Sequence, residues 1–368
     1  MKKIFLILAI AALSMVSCQN DSWNIFGRDN SVEVTLKVKP PQMQTLRSEV
    51  SALDSALGAI DNFNANEALW EAYDLRYILE IYEVVTSGVN KTTSEKPIYK
   101  RQTKVADYYR DNSVDFTMQL VPNREYKFVI WADFVNALSL DDFISEVSAD
   151  TDLDLCYETS NLRAISRTEE YAHAAMEEAL DAYYTSTNVK VTGAMELPLT
   201  LKRPLAKLRV VAIDYDEIRS YSTPTQANVI FDTENYEVYN SFNAVDNKPF
   251  DRCEAHTYDY TIDATLYKEY EGKTTDNSSV TGLVLFSDYL FAQPEISEGE
   301  KNEQEVGFSM TITFDNDQSV TRTIDFDTQI PISRNYLTTI VGNCLTQQEG
   351  FVFNIDDHLP LYHEEIVE

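Results

Sequence analysis

The sequence predicts a mainly β protein with two antiparallel β-sandwich domains and one helical insertion in the first domain. Apolar and polar residues alternate with a period of two in many short segments, as in half-buried strands. Turn residues separate these segments at intervals that are typical of sandwiches rather than of parallel sheets. The length of 368 residues indicates two domains, because a domain usually takes about 150 residues.

The first segment is predicted to be a targeting signal. In residues 1–17, Lys2 and Lys3 are followed by an apolar core over Ile4–Val16, and the segment ends just before Cys18. This core is too short to span a bilayer as a helix, which takes about 20 residues. We therefore expect a lipoprotein signal peptide, lipid attachment at Cys18 and a polar tether over residues 18–30. The alternative is an ordinary secretory signal in which Cys18 has no special role.

The first domain is expected to occupy residues 31–197. Ser31–Lys39 alternates apolar and polar residues and is followed by two prolines, so it is predicted as the first strand. Residues 48–70 are compatible with a helix. Tyr73–Val85 is rich in aromatic and β-branched residues and is predicted as the second strand.

A β-hairpin is predicted next. Residues 114–120 and 126–134 both have strand character, and a short turn that begins with Pro122-Asn123 lies between them. Two strand patterns joined by a few turn residues favour antiparallel pairing with each other.

An acidic stretch follows the hairpin. Ala132–Ser186 holds 13 acidic residues and 2 arginines, which gives a net charge of 2 − 13 = −11. Within it, residues 168–184 are the best helix candidate, since Thr168 is a plausible N-cap followed by two glutamates. We interpret this stretch as an insertion that packs a helix beside a sheet.

The second domain is expected over residues 198–355. Strand patterns recur there with turn residues between them, and the last predicted strand is Phe351–Ile355. Residues 356–368 are predicted to form an acidic tail.

Composition excludes several classes of function. The chain has 60 acidic and 30 basic residues, a formal net charge of −30. A surface that reads nucleic acid is basic, so no nucleic-acid partner is predicted. The 10 glycines and 4 histidines lack the spacing of dinucleotide, phosphate-binding or HExxH motifs. The three cysteines after Cys18 are interpreted as buried small hydrophobic residues.

No metal or cofactor site is predicted. Asp150, Asp152 and Asp154 have the spacing that begins an EF-hand loop. Leu155 then stands where the loop needs glycine, which excludes an EF-hand. Carboxylate pairs are too common in so acidic a chain to be given acid–base roles, and no enzyme activity is predicted.

Four segments carry a family resemblance. EYKFVIWADF, LKRPLAKLRVV, LFSDYLFA and TQIPISRNYLTTIVGNCLT begin at residues 125, 201, 285 and 328. Together with the N-terminal signal, they resemble the fimbrillin-like lipoproteins of Bacteroidota. The resemblance is to a domain-of-unknown-function family within the type V fimbrial subunit and anchor superfamily, and it covers nearly the whole mature chain.

The resemblance implies two sandwiches of transthyretin-like topology and an outer-membrane protein anchored by lipid on Cys18. It also implies assembly with other fimbrial subunits by β-strand complementation. The removable strand would be Ser31–Lys39, with proteolytic processing after Arg47. Arg47 could instead be an ordinary exposed residue of an uncut linker, and Phe351–Ile355 could be a donor or simply a closing strand.

These expectations describe a non-enzymatic fimbrial subunit, fimbrial anchor or related adhesin at the cell surface. The alternative is a carbohydrate-binding surface lipoprotein outside any fibre, since the chain has 3 Trp, 22 Tyr and 17 Phe on which sugars could stack. For either function, the expected partners include a glycan or a host protein ligand.

Overall fold

The computed structural model describes residues 31–40, 72–99, 101–106, 113–137, 153–271, 279–294, 296, 304–315, 319–324, 330–346 and 354–360. The predictions for Cys18, for Arg47 and for a helix over residues 48–70 lie outside these residues.

The described chain is mainly β, as predicted. Burial alternates along some of the described strands and is continuous along others. The strands of the first half are β1 (Val32–Lys39), β2 (Tyr73–Ser87), β3 (Asn90–Thr93), β4 (Gln102–Ala106), β5 (Val114–Leu120), β6 (Arg124–Asn136), β7 (Tyr157–Glu158), β8 (Ile165–Arg167), β9 (Ala182–Val191) and β10 (Met195–Thr200).

The second half consists mainly of strands, as the strand patterns that recur there predict. Its only described α-helix, α1 (Tyr215–Ile218), is one turn long. The strands are β11 (Leu205–Ala212), β12 (Pro224–Phe231), β13 (Tyr239–Asn243), β14 (Lys248–Arg252), β15 (Thr257–Thr261), β16 (Tyr267–Glu271), β17 (Ser279–Phe291), β18 (Gln304–Val306), β19 (Phe308–Phe314), β20 (Ser319–Ile324), β21 (Ile330–Ile332), β22 (Tyr336–Gly342) and β23 (Asn354–Pro360).

The two halves share one strand order. In the first half, β10-β1-β5 form one sheet, and β2-β6-β9, flanked by β3 and β4, form another. In the second half, β22-β11-β17 run in the same order within a five-stranded sheet, and β15-β12-β19-β20 form the other. β1 therefore corresponds to β11, and the sheet β4-β2-β6-β9 corresponds to β15-β12-β19-β20.

The sandwiches were predicted to be antiparallel, but two of the described strand pairs are parallel. β1 pairs in parallel with β10, and β11 pairs in parallel with β22. In each half, the chain crosses between the two sheets before a late strand returns beside the first one. The returning strand then runs in the same direction as the first, a pairing that no single hairpin connection can make.

The predicted hairpin is also wrong. β5 and β6 both form, but β5 pairs with β1, whereas β6 lies between β2 and β9. Because β6 has a partner on each side, it has no free edge for β5. The residues between them carry the chain from one sheet to the other, with Asn123 at a φ of 65°.

The predicted helix over residues 168–184 is wrong as well. The segment contains turns, a 3₁₀ turn at Glu178–Leu180 and the start of β9. β9 pairs with β6 over ten residues. Farther upstream, the N–H of Met176 donates to the main-chain oxygen of Ser287 (2.8 Å). These tertiary bonds outweigh the helix propensity of an Ala- and Glu-rich run, since such propensities are small per residue.

A further sheet joins the halves. In β14-β13-β8-β7, strands from residues 157–167 pair with strands from residues 239–252. The hydrophobic core of the first half accordingly includes Phe242 and Phe291 from the second. A separate cluster fills the second half, around Phe231, Tyr258 and Phe286.

Two predicted boundaries differ from the strand ends. β10 runs from Met195 to Thr200 and so crosses the boundary predicted between residues 197 and 198. β23 runs to Pro360 beside β22, so the strand predicted to end at Ile355 continues into residues assigned to the acidic tail.

Candidate functional site

The N-terminal strand lies in a slot between two others. β1 pairs with β10 on one side and with β5 on the other along most of its length. β10 and β5 are neighbours of β1 and not of each other. Without β1 they would be separated by about 10 Å, twice the usual distance between paired strands. β1 therefore holds this sheet together.

The inward side chains of β1 fill the core. Val34, Leu36 and Val38 are each 0% exposed. They belong to the same cluster as Phe116 and Met118 of β5. Full burial of one such aliphatic side chain contributes about 1.5–3 kcal/mol. Three buried side chains and two hydrogen-bonded ladders therefore hold the strand in its slot.

The outward side chains of β1 contribute much less. Lys37 Nζ lies 3.6 Å from Asp115 Oδ2 and 3.8 Å from Glu196 Oε2, in solvent-exposed pairs. The hydroxyls of Thr35 and Thr117 are 3.1 Å apart. Exposed ion pairs contribute about 0–1 kcal/mol, so recognition of the strand rests on its inward face.

The edge of β10 away from β1, which has no strand partner among the described residues and is called its free edge below, carries a proline. The N–H of Leu201, just after β10, donates to the oxygen of Lys39 (3.0 Å). Along a strand, the main-chain N–H and C=O groups of successive residues point alternately to one edge and to the other. The nitrogen of Pro198 therefore faces away from β1 and has no hydrogen to donate. Such a proline protects an edge from pairing with another chain.

A buried ion-pair cluster lies in the first half. Arg76 donates from Nε and Nη2 to the carboxylate of Asp133 (2.9 and 2.6 Å). Its Nη1 donates to Asp154 Oδ1 (2.7 Å). Burial lowers the pKa of Arg76, but the two carboxylates outweigh this and raise it. Asp154 also accepts bonds from Thr159 (3.1 and 2.8 Å), so this aspartate of the excluded calcium loop is a structural ion-pair partner.

A second buried arginine links the halves. Arg167 of β8 donates to Asp288 Oδ1 of β17 (2.7 Å) and to the hydroxyl of Tyr258 of β15 (3.3 Å). It also donates to the main-chain oxygens of Ala174 and Tyr289. The Arg167 side chain is 10% exposed and that of Asp288 is 0% exposed. Arg167 thus connects the joining sheet, which contains β8, to the two sheets of the second half that contain β15 and β17.

A cysteine and a histidine continue this network. Tyr258 donates to Asp288 and bonds to His256 Nε2. Cys253 Sγ lies 3.7 Å from His256 Nδ1 and donates to Asn240 Oδ1 (2.6 Å). Burial raises the pKa of the Cys253 thiol to about 11 and lowers the pKa of His256 to about 3. The pair is therefore a neutral thiol beside a neutral imidazole, not an activated nucleophile.

Metal ligands, membrane-spanning helices and cysteines complete the description of the described ranges. Within them, no group of three or more His, Cys, Asp or Glu residues could hold a metal ion. None of the helices in the described part of the chain is long and apolar enough to cross a membrane. Cys156, Cys253 and Cys344 are buried, as predicted for the three cysteines after Cys18.

A family model matches residues 27–366. The chain belongs to DUF6562, a family of unknown function. This confirms the prediction of a domain-of-unknown-function family with fimbrillin-like resemblance. A search of the curated proteins finds no match for this DUF6562 member.

Solved structures similar to this DUF6562 member come from Bacteroidota. The tip fimbrial protein Mfa3 from Porphyromonas gingivalis is 10% identical, with 89% of this chain and 100% of that chain covered and a TM-score of 0.37. A fimbrial assembly protein from Parabacteroides distasonis is 11% identical, with 89% and 96% covered and a TM-score of 0.31. A candidate cell adhesion protein from Bacteroides ovatus is 10% identical, with 89% and 96% covered and a TM-score of 0.40. TM-scores below 0.5 do not establish a shared fold.

The sequence located β1 of the DUF6562 chain but missed the proline on the edge beside it and two residues of the buried network that links the halves. The role of Pro198 could not be read from the sequence, because it depends on which side of β10 pairs with β1. Arg167 and His256 were missed because their partners lie far away in sequence. The one local signal was the Cys253-x-x-His256 spacing, which alone does not distinguish a buried network from a reactive pair.

Proposed function

We propose that this protein is a non-enzymatic, lipid-anchored cell-surface protein that assembles with fimbrial subunits by β-strand complementation. The observation that carries the proposal is the placement of β1. It is the first described strand, it lies between two partners, and its three inward side chains are fully buried. A strand near a chain end can leave or be replaced without unthreading the rest of the fold.

The architecture in this proposal is two transthyretin-like sandwich domains. The shared strand order supports it, since β10-β1-β5 with β4-β2-β6-β9 corresponds to β22-β11-β17 with β15-β12-β19-β20. The change from first to second domain falls after Thr200, where β10 ends. The sheet β14-β13-β8-β7 then joins the domains.

The proposed assembly step is replacement of β1. Lipid on Cys18 would tether the chain to the outer membrane. Cleavage after Arg47, downstream of β1, would free β1 together with the lipid. A donor strand with apolar residues at alternate positions would then fill the space of Val34, Leu36 and Val38 and restore both ladders. Without cleavage, the chain would remain an anchored subunit or adhesin.

Replacement is favoured over simple edge addition. Pro198 removes a donor from the middle of the free edge of β10. On β5, Lys104 Nζ donates to the main-chain oxygen of Asp115 (2.7 Å). A partner strand would gain fewer hydrogen bonds on the β10 edge than in the two-sided slot. The slot is therefore the better acceptor.

Mass spectrometry of the mature N-terminus from membranes tests the anchoring and the processing. An acylated Cys18 is the expected terminus of an anchored chain, and a terminus at Ser48 is expected for a processed subunit. An unmodified terminus elsewhere in residues 18–30 would contradict the lipid anchor.

A protease site engineered after Arg47 of the full-length chain tests the replacement step. Cleavage is expected to release β1 and produce SDS-resistant ladders. An excess of a synthetic peptide with the sequence of Ser31–Lys39 should suppress them. The matched control peptide carries Asp at the positions of Val34, Leu36 and Val38 and should not compete. A cleaved chain that releases β1 and stays monomeric would contradict strand complementation.

A further inference from the structure

The hairpin of β2 and β3 projects from the body of the first half. β2 is buried almost continuously from Asp74 to Val84 and is exposed from Val85 to Ser87. In β3, residues 90–92 are exposed as well. Beyond Val84, the partner of β2 among the described residues is β3 alone, because the pairing of β2 with β6 ends there. The tip of the hairpin therefore extends past the rest of its sheet.

The turn of this hairpin carries an apolar side chain into solvent. Gly88 and Val89 connect Ser87 to Asn90, which pair with each other. Gly88 has a φ of 64°, and glycine at the first position of a two-residue turn is typical of a type II′ hairpin. Val89 is 98% exposed. Turn residues are usually Gly, Asn, Asp or Ser, so the turn itself does not call for a valine.

The hairpin tip lies at the end of the first half where β1 begins. Val32, the first residue of β1, pairs with Leu120 at the end of β5. The turn after Leu120 leads to Arg124, and the next residue, Glu125, pairs with Val84 at the base of the hairpin. The N-terminal tether therefore enters the body beside this hairpin.

Two further connections lie at the same end. Residues 121–124 lead from β5 into β6, and residues 190–194 lead from β9 to β10. The second connection is adjacent to the first because Val191 pairs with Arg124. We call these two connections, together with residues 85–92 of the hairpin, the tether pole.

The charge of the tether pole differs from that of the whole chain. The pole contains no acidic residue and three basic ones, whereas the chain has 60 acidic and 30 basic residues. The basic residues are Lys91, Arg124 and Lys190. Lys91 and Arg124 bond to Glu125 and Glu83 at the base of the hairpin (2.8 Å each). The pole is therefore weakly basic and lacks carboxylates that would repel phosphate groups.

The far end of the second half is acidic. β11 begins at Leu205, in the core of the first half, and ends at Ala212, in the cluster of the second half. The connection that follows, residues 213–223, holds three acidic residues and one basic residue. The protein thus has a weakly basic end where the tether enters and an acidic end away from it.

The composition of the tether pole fits a lipid surface better than a protein partner. A stable protein interface buries about 1,200–2,000 Å² and is enriched in aromatic residues, but the pole contains no aromatic residue. An apolar side chain among basic and uncharged polar neighbours is suited to the boundary between lipid headgroups and acyl chains. Lipid phosphates also attract basic side chains.

The length of the tether places the bilayer within reach. Residues 18–30 are 13 residues, which span at most about 45 Å when fully extended. Since β1 begins at the tether pole, this pole is the part of the body that the tether holds nearest to a lipid on Cys18.

We propose that the tether pole lies against the bilayer that holds the lipid of Cys18, with Val89 among the lipid headgroups. This inference rests on the lipid anchor of the proposed function. A lipid on one residue limits the distance between the body and the bilayer but does not set the orientation of the body. Contact at Val89 sets the orientation, and the acidic end of the second half then points away from the membrane.

The test uses the full-length acylated chain in vesicles of phosphatidylethanolamine and phosphatidylglycerol. A fluorescent label on Asn90→Cys reports on the hairpin. A label on Tyr221→Cys, where the native side chain is 70% exposed, reports on the acidic end. The chain without either substitution is the blank, since its other cysteines after Cys18 are buried. Lipids that carry nitroxides should quench the label at position 90 and leave the label at position 221 bright.

Flotation of the same vesicles separates this inference from the lipid anchor. A chain that does not float with the vesicles contradicts the anchor and, with it, the inference that rests on it. A chain that floats but is quenched equally at both positions, or at neither, overturns the orientation and leaves the anchor in place.

A charge at the hairpin tip provides the matched variant. Val89→Asp, in the chain labelled at position 90, should remove most of the quenching, because lipid phosphates repel a carboxylate and its burial is unfavourable. Ile230→Asp makes the same change at an exposed residue of β12 (48% exposed) and should leave the quenching unchanged. Melting temperatures check that both variants fold, and Val89→Ser replaces Val89→Asp if the latter does not. Unchanged quenching by the folded tip variant would also overturn the proposal.

Discussion

Arg167 lies where the two halves meet, and its charge is balanced inside the protein by Asp288 (2.7 Å). Arg167→Met would keep much of the side-chain volume but leave Asp288 as a buried carboxylate without its cation. Removal of one partner from a buried pair typically costs about 3–5 kcal/mol. We expect a loss of unfolding free energy of that size, measured by urea denaturation.

The exposed pair of Arg219 with Asp216 provides the control (2.7 Å, side chains 54% exposed). Arg219→Ala should change the unfolding free energy by less than about 1 kcal/mol, because solvent screens the pair. Adding Asp288→Asn to Arg167→Met should recover part of the loss. Equal effects of the two arginine substitutions would contradict the role given to Arg167.

His256 makes stability depend on pH. Burial lowers its pKa to about 3, whereas an unfolded histidine titrates near about 6.5. Between these values the unfolded chain binds more protons, so this contribution to stability falls as pH drops from about 6.5 towards about 3. The slope from one such group approaches about 1.4 kcal/mol per pH unit.

His256→Gln removes this titration while keeping a polar group beside Tyr258. The unfolding free energy of the variant should change less steeply with pH than that of the wild type between about pH 4.5 and 6.5. Since the carboxylates titrate in both proteins, the difference between slopes isolates His256. Parallel curves would contradict a neutral, buried imidazole.

At the scale of elements, β1 is predicted to be held by its inward side chains. Leu36 is 0% exposed, so Leu36→Ala should cost about 2–5 kcal/mol, through lost burial and a cavity. Thr35→Ala, on the outward face of the same strand, should cost much less. Urea unfolding of the intact chain measures both, and equal costs would contradict a strand anchored by its inward face.

The edge of β10 gives a prediction about association. Pro198→Val restores a main-chain donor on the free edge and adds a residue that favours strands. The variant should self-associate at concentrations where the wild type is monomeric, as seen by light scattering. Thr200→Val adds apolar surface to the same strand but leaves Pro198 in place, and it should remain monomeric. If both variants associate alike, apolar surface rather than the open edge is responsible.

Elements that depend on local pattern were predicted well. β1 and β2 coincide closely with the predicted strands Ser31–Lys39 and Tyr73–Val85, because alternation and a run of aromatic and β-branched residues are both local strand signals. The helix predicted over residues 168–184 was wrong. Ala and Glu favour a helix only weakly, whereas β9 forms a ten-residue ladder with β6. The position of β1 was predicted from the sequence, but the proline at position 198 on the edge of β10 was not recognised.

For the whole molecule, the joining sheet predicts cooperative unfolding. β13 pairs with β8 across the two halves, and Phe242 lies in the first-half core. One half therefore cannot unfold without exposing apolar residues of the other. Calorimetry should show a single transition whose calorimetric and van't Hoff enthalpies agree. Two resolved transitions would contradict this coupling.

Alternation along the chain, by itself, determined that the protein is mainly β and which side of alternating strands such as β1, β5 and β19 is buried, because the side-chain period of a strand is local. Four sequence segments, rather than the alternation, carried the resemblance to fimbrillin-like lipoproteins, and the family model over residues 27–366 shows that the chain belongs to DUF6562. Only the tertiary structure decided that β5 pairs with β1 and not with β6, and that β1 and β11 each have a parallel partner. It also decided that Arg167 and His256 belong to one hydrogen-bonded network through Tyr258. Strand pairing and buried charge depend on residues far apart in sequence, and no local pattern encodes which partner will be near.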